Sequence, residues 1–190
     1  LKKNTFWDHL SRVFSISGVS IPVFFSGLIA ILVFYGILDW LPSNGRIGMD
    51  VNAPTHITGF YIIDSLLTLD MVALKSSLEH LLLPAVVLSF AQLAVITRQV
   101  RASMLEVMSQ EYIRTAVANG IKGWLLIVSY ALRNALIPTV TVIGVAFGSL
   151  LGGAVVTETI FGWPGMGRFV VESIQFLDFP AIMGFTIFIG

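Results

Sequence analysis

The sequence has no cysteine among its 190 residues, and charged residues make up only 12% of it. Without cysteine, this segment cannot form a disulfide, a thiolate metal site or a cysteine nucleophile. Soluble domains carry about one quarter charged residues, so the low charge argues against a single soluble core. The formal net charge is zero, and we therefore expect no nucleic-acid partner.

Sequence motifs of enzymes are also absent. The chain contains no HExxH, GxSxG or P-loop pattern. His56, Glu79 and His80 do not suggest a metal site, because a helix would point the neighbours Glu79 and His80 about 100° apart, and no third ligand accompanies them. We expect no catalytic residue, no metal and no cofactor bound by this chain.

Long apolar runs are what the chain has instead. Hydrophobic residues make up 56% of it, and its mean hydropathy is +0.88. At ~1.5 Å per helical residue, three runs are long enough to cross a hydrocarbon core of ~30 Å. They are 17–41, 78–100 and 134–157. Continuous runs favour helices over barrel strands, so the sequence predicts an all-α transmembrane bundle.

A fourth run, 180–190, is too short to span and would be part of a last membrane helix. The chain begins with Leu1 and stops inside this run, so we expect a fragment of a longer protein. Prolines lie a few residues inside each complete run, at Pro22, Pro84 and Pro138. Each is expected to mark the start of a regular helix, with a kink as the alternative.

Lysine and arginine counts indicate the orientation in the membrane. Segments 1–16 and 98–133 hold three and five of these residues, whereas 42–77 holds two and 158–179 holds one. This asymmetry predicts that 101–133 is a cytoplasmic loop and that 42–77 and 158–179 are extracytoplasmic. Apolar residues at helical spacing also predict a short surface helix over 60–78.

The segment 101–133 has a pattern of its own. From Leu105 to Val117, apolar residues recur at helical spacing and polar residues take the opposite face. Asn119 and Gly120 then predict a helix end, because glycine readily adopts the left-handed conformation of such caps. Two interpretations are open here: a connection that packs only on its own protein, or a docking surface for a cytoplasmic partner.

The stretch EYIRTAVANGIKGWLLIVSYALRNALIP, residues 111–138, resembles a loop of known transporters. It is similar to the cytoplasmic loop of the membrane subunits of ATP-binding-cassette importers, in the dipeptide, oligopeptide and nickel branch. That superfamily has an EAA helix, a glycine soon after it and a second helix. Here Arg114-Thr115-Ala116 stands in the place of EAA, and Gly120 is the glycine. Arginine at the first position, and Leu132-Arg133 in the place of Leu-Pro, are usual in the peptide branch.

The resemblance covers essentially the whole chain, including EHLLLPAVVLSF and TETIFGWPGMGRFVVESIQFLDFPAI, and is strongest to the B-type permease. It implies a permease subunit of a bacterial inner-membrane importer for peptides or similar solutes, without enzymatic activity. It also implies about two further helices before Leu1. The implied partners are a homologous second permease, an extracytoplasmic substrate-binding protein and two cytoplasmic ATPases, which would bind the ATP and Mg²⁺.

By this resemblance, residues 105–120 form a coupling helix that docks on one ATPase. The expected coupling residues are Met108, Glu111, Tyr112, Ile113, Arg114, Ala116, Val117 and Gly120. Four apolar members are expected to form the face buried against the ATPase: Met108, Tyr112, Ile113 and Val117. The two charged members are expected to make polar contacts, and the glycine sets the corner.

Three glycines, Gly144, Gly148 and Gly152, are spaced by four residues along the third run. Small residues at this spacing let helix backbones approach closely. We expect ordinary helix packing at these positions, with packing against the partner permease as one form of it.

The outer stretch TETIFGWPGMGR, residues 157–168, contains a Gly-Trp-Pro-Gly turn signal. A lid over loop backbone is one interpretation of it. By the resemblance, an outer gate or a contact with the binding protein is the other, through Glu158, Trp163 and Arg168.

Three other classes of membrane protein also have long apolar runs. An ion- or proton-coupled secondary transporter usually has ionisable residues inside its spans, and the central parts of the three complete runs have none. A membrane-embedded enzyme would need an acid–base or nucleophile constellation. A purely structural subunit would leave the helix–glycine–helix loop without a purpose.

Overall fold

The computed structural model describes residues 6–151 and 154–189, and the regular structure of these residues is entirely helical. We call the predicted cytoplasmic loop 101–133 the central loop. The helices that begin before it are α1 (Phe6–Ser20), α2 (Val23–Ile31), which continues as a π-helix (Leu32–Ile37), α3 (Tyr61–Leu67) and α4 (Met71–Val107). Those that follow are α5 (Glu111–Ala118), α6 (Gly123–Leu125), which continues through a π-helix (Leu126–Leu132) into α7 (Arg133–Leu151), α8 (Val155–Ile160), α9 (Met166–Gln175) and α10 (Phe179–Ile189).

Two of the described helices are long and apolar enough to cross a membrane. They are α4 and the continuous helix Gly123–Leu150. The predicted continuous helix over 17–41 is wrong, because the helix is interrupted between Ser20 and Val23 and ends at Ile37. The pair Asp8–Ser20 and Val23–Ile37 would be a third span if it formed one, and α10 is a shorter apolar helix. The all-α prediction is confirmed.

Helix ends differ from the predicted ones where local capping decides them. The predicted surface helix over 60–78 is two elements, because α3 ends at Leu67 and Met71 already begins α4. Between them Leu69 has a positive φ of 56°. The Asp70 carboxylate then accepts hydrogen bonds from Val72 N at 3.1 Å and Ala73 N at 3.0 Å. This capping starts the long helix seven residues before the predicted run at 78.

The three prolines have two different roles. Pro22 precedes α2, and its carbonyl accepts hydrogen bonds from Phe25 N and Ser26 N, so it marks a helix start as predicted. Pro84 and Pro138 lie inside α4 and α7. The prediction that they start helices is therefore wrong, since regular helix precedes each of them. Each removes one backbone donor from a long helix, which is a usual cause of a kink.

The described residues belong to two compact units. The first unit comprises residues from 1–20 and 91–148, and the second comprises residues from 21–90 and 149–190. In the second unit, Leu83, Val87 and Phe161 form a buried apolar cluster. A Cβ built on Gly27 would lie 3.5 Å from the Phe161 ring, so α2 packs closely on this cluster.

Asp64 organises the loop 38–60 of the second unit, which we call the outer loop because 42–77 is predicted to be extracytoplasmic. Its carboxylate is buried and accepts hydrogen bonds from Thr58 N and Thr58 Oγ1, both at 2.7 Å, from Gly59 N at 3.0 Å and from Ile57 N at 3.4 Å. Burial alone raises the pKa of a carboxyl group, but these hydrogen bonds outweigh it and lower the pKa of Asp64 from 3.8 to about 2. The loop backbone is thus folded around one ionised side chain.

In the first unit, an ion pair joins α1 to α4. Asp8 accepts two hydrogen bonds from Arg101, at 2.8 Å from Nε and 3.2 Å from a terminal nitrogen, and a third from Arg12 at 3.3 Å. The side chain of Asp8 is buried, so this bidentate pair is partly shielded from solvent. It fixes α1 against the end of α4 that leads into the central loop.

Candidate functional site

The central loop begins with a sharp change of direction after α4. Gln110 has an extended conformation, with φ −72° and ψ 150°, and α5 starts at Glu111. Ser109 Oγ donates to Glu106 O at 2.7 Å, and Ser109 N donates to the same carbonyl at 3.0 Å. The prediction of one helix over 105–120 is therefore wrong. Residues 105–107 end the long helix, and the candidate coupling helix is the eight residues of α5.

The end of α5 has the glycine corner that the sequence predicts. Gly120 has a positive φ of 83°. Gly120 N donates to Val117 O at 3.0 Å, and Ile121 N donates to Ala116 O at 3.1 Å. This pair of hydrogen bonds is the Schellman motif, which satisfies the last carbonyls of a helix. A β-branched residue would be strained at this position.

One face of α5 packs on its own chain. Ile113 and Ala116 are 3% and 4% exposed and lie in a buried cluster with Met104, Leu126 and Ala131. Two of the expected coupling residues are thus unavailable as direct contacts with a partner. Ile113, which was expected on the partner-facing side, instead helps to hold α5 against α4 and the π-helical segment.

The other face of α5 is exposed to solvent. Tyr112 is 41% and Val117 is 48% exposed, and Met108 just before the helix is also exposed. Glu111 and Arg114 pair with each other at 2.7 Å, with both side chains largely in solvent. An exposed pair of this kind contributes little to stability. The outer face of α5, defined by Met108, Glu111, Tyr112, Arg114 and Val117, is therefore a mixed apolar and charged surface.

Tyr112 connects this outer face to the helix that enters the membrane. Its hydroxyl oxygen accepts a hydrogen bond from Asn134 Nδ2 at 2.9 Å, and the same amide donates to Tyr130 O at 3.1 Å. Together with the Ile113 and Ala116 contacts, these bonds attach α5 to residues 126–135 on two sides. A displacement of α5 would thus be passed directly to the start of α7.

The glycine set on α7 has open space around its described members. A Cβ built on Gly144 or Gly148 would meet nothing within 4 Å. No neighbour in the described part of the chain uses this face, so packing against another subunit stays a prediction. Gly152 lies outside the described residues.

The candidate outer-gate residues, Glu158, Trp163 and Arg168, make their contacts within the second unit; we call them the outer set. Glu158 accepts hydrogen bonds from Ala154 N at 3.2 Å and Arg168 N at 2.7 Å. The Arg168 side chain donates to Glu172 at 2.7 Å, and Trp163 N donates to Glu158 O at 2.8 Å. Gly165 and Gly167 lie where a Cβ would overlap Glu158 and the Val155 backbone respectively. Glu158 thus stabilises the turn between α8 and α9, and a gating role for this set stays a prediction.

Within the described residues, no group of three or more His, Asp or Glu side chains could hold a metal ion. Asp64 and the Asp8–Arg101 pair organise the fold, but no sequence motif marks them. An acidic residue four positions before Arg12 was the only signal for Asp8, and Asp64 gave none beyond its place in an apolar helix.

Comparison with known proteins places the whole chain in one family. The family model for the binding-protein-dependent transport system inner membrane component matches residues 1–190. The probable D,D-dipeptide transport system permease protein DdpB of Escherichia coli K12 is 51% identical over 188 residues, which are 99% of this chain and 55% of that protein.

Two further relatives are named for peptide transport. The di/tripeptide permease DppB of Pseudomonas aeruginosa is 43% identical over 182 residues, 96% of this chain and 54% of that protein. The dipeptide permease DppB of Haemophilus influenzae is 43% identical over 190 residues, 100% of this chain and 56% of that protein. The chain spans about half the length of these relatives.

Proposed function

The chain belongs to the family of inner membrane components of binding-protein-dependent transport systems, and from this premise we propose that it is the B-type permease subunit of an ATP-driven peptide importer in a bacterial inner membrane. It has no enzymatic activity of its own. A homologous second permease, two ATPases that bind ATP and Mg²⁺, and an external substrate-binding protein complete the machine. Substrate passes from the binding protein to the cytoplasm by alternating access.

The observation that carries this proposal is the two-sided nature of α5. Ile113 and Ala116 fix one side to the chain, and the outer face presents Tyr112, Val117 and a solvent-exposed ion pair. An eight-residue helix with an apolar exposed side, fixed at its corner by Gly120, is suited to dock in a groove of a cytoplasmic partner. The interpretation as a connection packed only on its own protein leaves this outer face without a role.

Coupling follows from how α5 is attached. When the ATPases close on ATP, the surface that holds α5 moves. Because α5 is tied to Asn134 by the hydrogen bond that the Tyr112 hydroxyl accepts and to Leu126 and Ala131 by packing, the movement reaches α7 without passing through a flexible linker. The attached membrane helices then exchange inward and outward openings.

A pair of matched substitutions in the full-length parent tests this proposal. Val117→Asp places a charge in the expected contact, and we expect the ATPases to be lost when the tagged permease is purified from membranes. Ile174→Asp makes the same kind of change at a helical side chain of similar exposure, 53% against 48%, in the predicted extracytoplasmic segment 158–179. We expect this control to retain the ATPases.

Uptake driven by ATP in the wild type and lost in Val117→Asp supports the importer. If no ATPase purifies with the wild type and uptake follows the proton gradient, the proposal fails and an ion-coupled transporter replaces it.

A further inference from the structure

A cavity of about 570 Å³ lies within the second unit, between the outer loop, α3, the first turns of α4 and the turn that follows α8. Its volume falls in the range of about 300–1,000 Å³ that is usual for small-molecule sites. Its walls include Arg46, Tyr61, Ile63, Ser77, Leu81 and Trp163. They combine apolar and aromatic surface with few polar groups, and Arg46 is the only charged side chain among the lining residues.

Arg46 is held in place by two contacts. One terminal nitrogen donates to Gly59 O at 2.7 Å, and the guanidinium carbon lies 3.9 Å from the centre of the Tyr61 ring. These contacts fix the plane of the guanidinium. A guanidinium has five N–H donors, and only one of its nitrogens is engaged in the described part of the chain. The remaining donors are those that recognise a carboxylate in a bidentate manner.

The wall that holds Arg46 is itself fixed by the buried carboxylate of Asp64. Gly59, which accepts the Arg46 hydrogen bond, donates its own N–H to Asp64 at 3.0 Å. Thr58 donates both its N–H and its hydroxyl to the same carboxylate. The cation is therefore presented by a folded loop, and little further ordering is needed when a ligand binds.

Ser77 provides an independent sign of a polar ligand. It lines the cavity, is only 2% exposed, and its Oγ is buried without a hydrogen-bond partner among the described residues. A buried hydroxyl without a partner is destabilising, and such groups in native proteins call for an explanation. A ligand oxygen or amide in the cavity would provide the missing partner.

We propose that this cavity is a peptide-binding subsite of the permease, in which Arg46 binds the C-terminal carboxylate and Ser77 bonds a neighbouring polar group of the backbone. Trp163 and Leu81 form the apolar walls for the side chains. Every unblocked peptide has this carboxylate, so the subsite recognises the class and tolerates variation in side chains. The choice of a peptide as the ligand rests on the proposed function.

Site-specific protection from labelling tests the subsite without requiring transport. The segment has no cysteine, so Ile63→Cys, on the cavity wall, introduces one thiol that can be followed by mass spectrometry of its peptide. Leu67→Cys, one turn further on α3 and outside the lining residues, is the matched control. The full-length parent, assembled with its partner subunits but without the binding protein, is treated with the neutral reagent N-ethylmaleimide.

We expect alanylalanine to slow labelling at Ile63→Cys about threefold at a concentration of about twice its Kd, with no effect at Leu67→Cys. Alanylalanine amide, which lacks the carboxylate, should protect far less. Equal protection by the two ligands, or none by either, overturns the subsite.

Two serine substitutions separate binding from folding. Ser77→Ala removes a hydroxyl that has no partner among the described residues, so it should leave assembly intact and should not lower thermal stability, while weakening alanylalanine protection about threefold to tenfold. Ser65 Oγ is also buried and unpartnered but does not line the cavity. Ser65→Ala should likewise not lower thermal stability, and it should leave alanylalanine protection unchanged; equal weakening of protection in the two variants overturns the role of Ser77.

Substitution of Arg46 tests the charge. Arg46→Gln should weaken protection about tenfold or more, and Arg46→Lys should restore part of it, because lysine keeps the charge and loses the bidentate geometry. Wild-type protection in Arg46→Gln overturns the proposal. Uptake that does not depend on ATP would refute the importer. Equal protection of Ile63→Cys by alanylalanine and by its amide would refute only the subsite.

Discussion

Acidic residues have opposite roles in the predicted extracytoplasmic loops and in the predicted cytoplasmic loop. In the second unit, the carboxylates of Asp64 and Glu158 accept hydrogen bonds from backbone N–H groups and fold the turns around them. In the first unit, the carboxylate of Glu111 on α5 accepts a hydrogen bond from the exposed side chain of Arg114 and from no other residue that the structure describes. The carboxylates of the outer loops stabilise the fold itself, whereas the charges on α5 are available to a partner.

This contrast predicts that substitution of Asp64 has the largest effect on the folded structure. Asp64→Ala leaves the N–H groups of Ile57, Thr58 and Gly59 without their acceptor, and we expect loss of the folded outer loop. Limited proteolysis of the full-length protein should then cut within 57–60, where the wild type is resistant. Glu111→Ala is the matched control on the exposed side, and cleavage that is no faster in Asp64→Ala than in this control would contradict the comparison.

The same carboxylate predicts how stability depends on pH. The pKa of Asp64 is lowered from 3.8 to about 2 in the folded protein. Its contribution to the free energy of unfolding is therefore fully present above pH 3.8 and is lost as the pH falls towards 2. Thermal unfolding of wild type and Asp64→Asn between pH 6 and pH 2 should converge at the acid end. Parallel curves over that whole range would show that the ionised carboxylate is not the stabilising species.

Substitution of Gly120 is expected to have a smaller effect on the folded structure and a large effect on transport. Gly120→Val forces a β-branched residue to a φ of 83°, at a cost of about 1–2 kcal/mol or more. No neighbour lies within 4 Å of the added Cβ, so the strain comes from the backbone alone. We expect an assembled complex that hydrolyses ATP without transport. Gly184→Val, also in open space but in a helix and outside the glycine set of α7, should transport better than Gly120→Val.

The smallest effect on stability is expected for the ion pair of α5. Glu111→Ala and Arg114→Ala should each change the free energy of unfolding by less than about 1 kcal/mol. Their effect should instead appear in the salt dependence of ATPase co-purification, since exposed charges that meet a partner are screened by salt. A large loss of stability in either variant would show that the outer face of α5 serves the fold and not a partner.

Periodicity and residue type predicted part of the structure. The runs 78–100 and 134–157 fall largely in the two helices that are long and apolar enough to span, whereas the run 17–41 is broken between α1 and α2. Asn119-Gly120 located the end of α5, because a left-handed cap depends on local backbone conformation alone. The break at Gln110 could not be predicted in the same way. Apolar residues recur at helical spacing through Met108 to Val117. Periodicity alone therefore does not distinguish one helix from two successive helices whose apolar faces point the same way.

Tertiary contacts account for the remaining differences. Ile113 and Val117 lie on the same apolar stripe of the sequence, yet the first is buried by Met104 and Leu126 and the second is exposed. Only the fold decides which side of the stripe meets the chain's own core. Likewise, Arg46 and Ser77 are 31 residues apart and nothing in their local sequence connects them, so the cavity could not be predicted.

The π-helical segment Leu126–Leu132 has a consequence for the spacing between α5 and α7. A π-helix has hydrogen bonds from residue i to i+5, so it holds more residues per turn than an α-helix. Deleting a single residue there, such as Ser129, would let the segment return to α-helical winding. Six α-helical residues cover nearly the same rotation as the seven π-helical ones, so Ile113 and Ala116 would keep their direction relative to α7, whereas an inserted α-helical residue would rotate them by about 100° and turn them out of their cluster. The segment between Gly120 and Pro138 should therefore tolerate one deletion within the π-helix far better than an insertion.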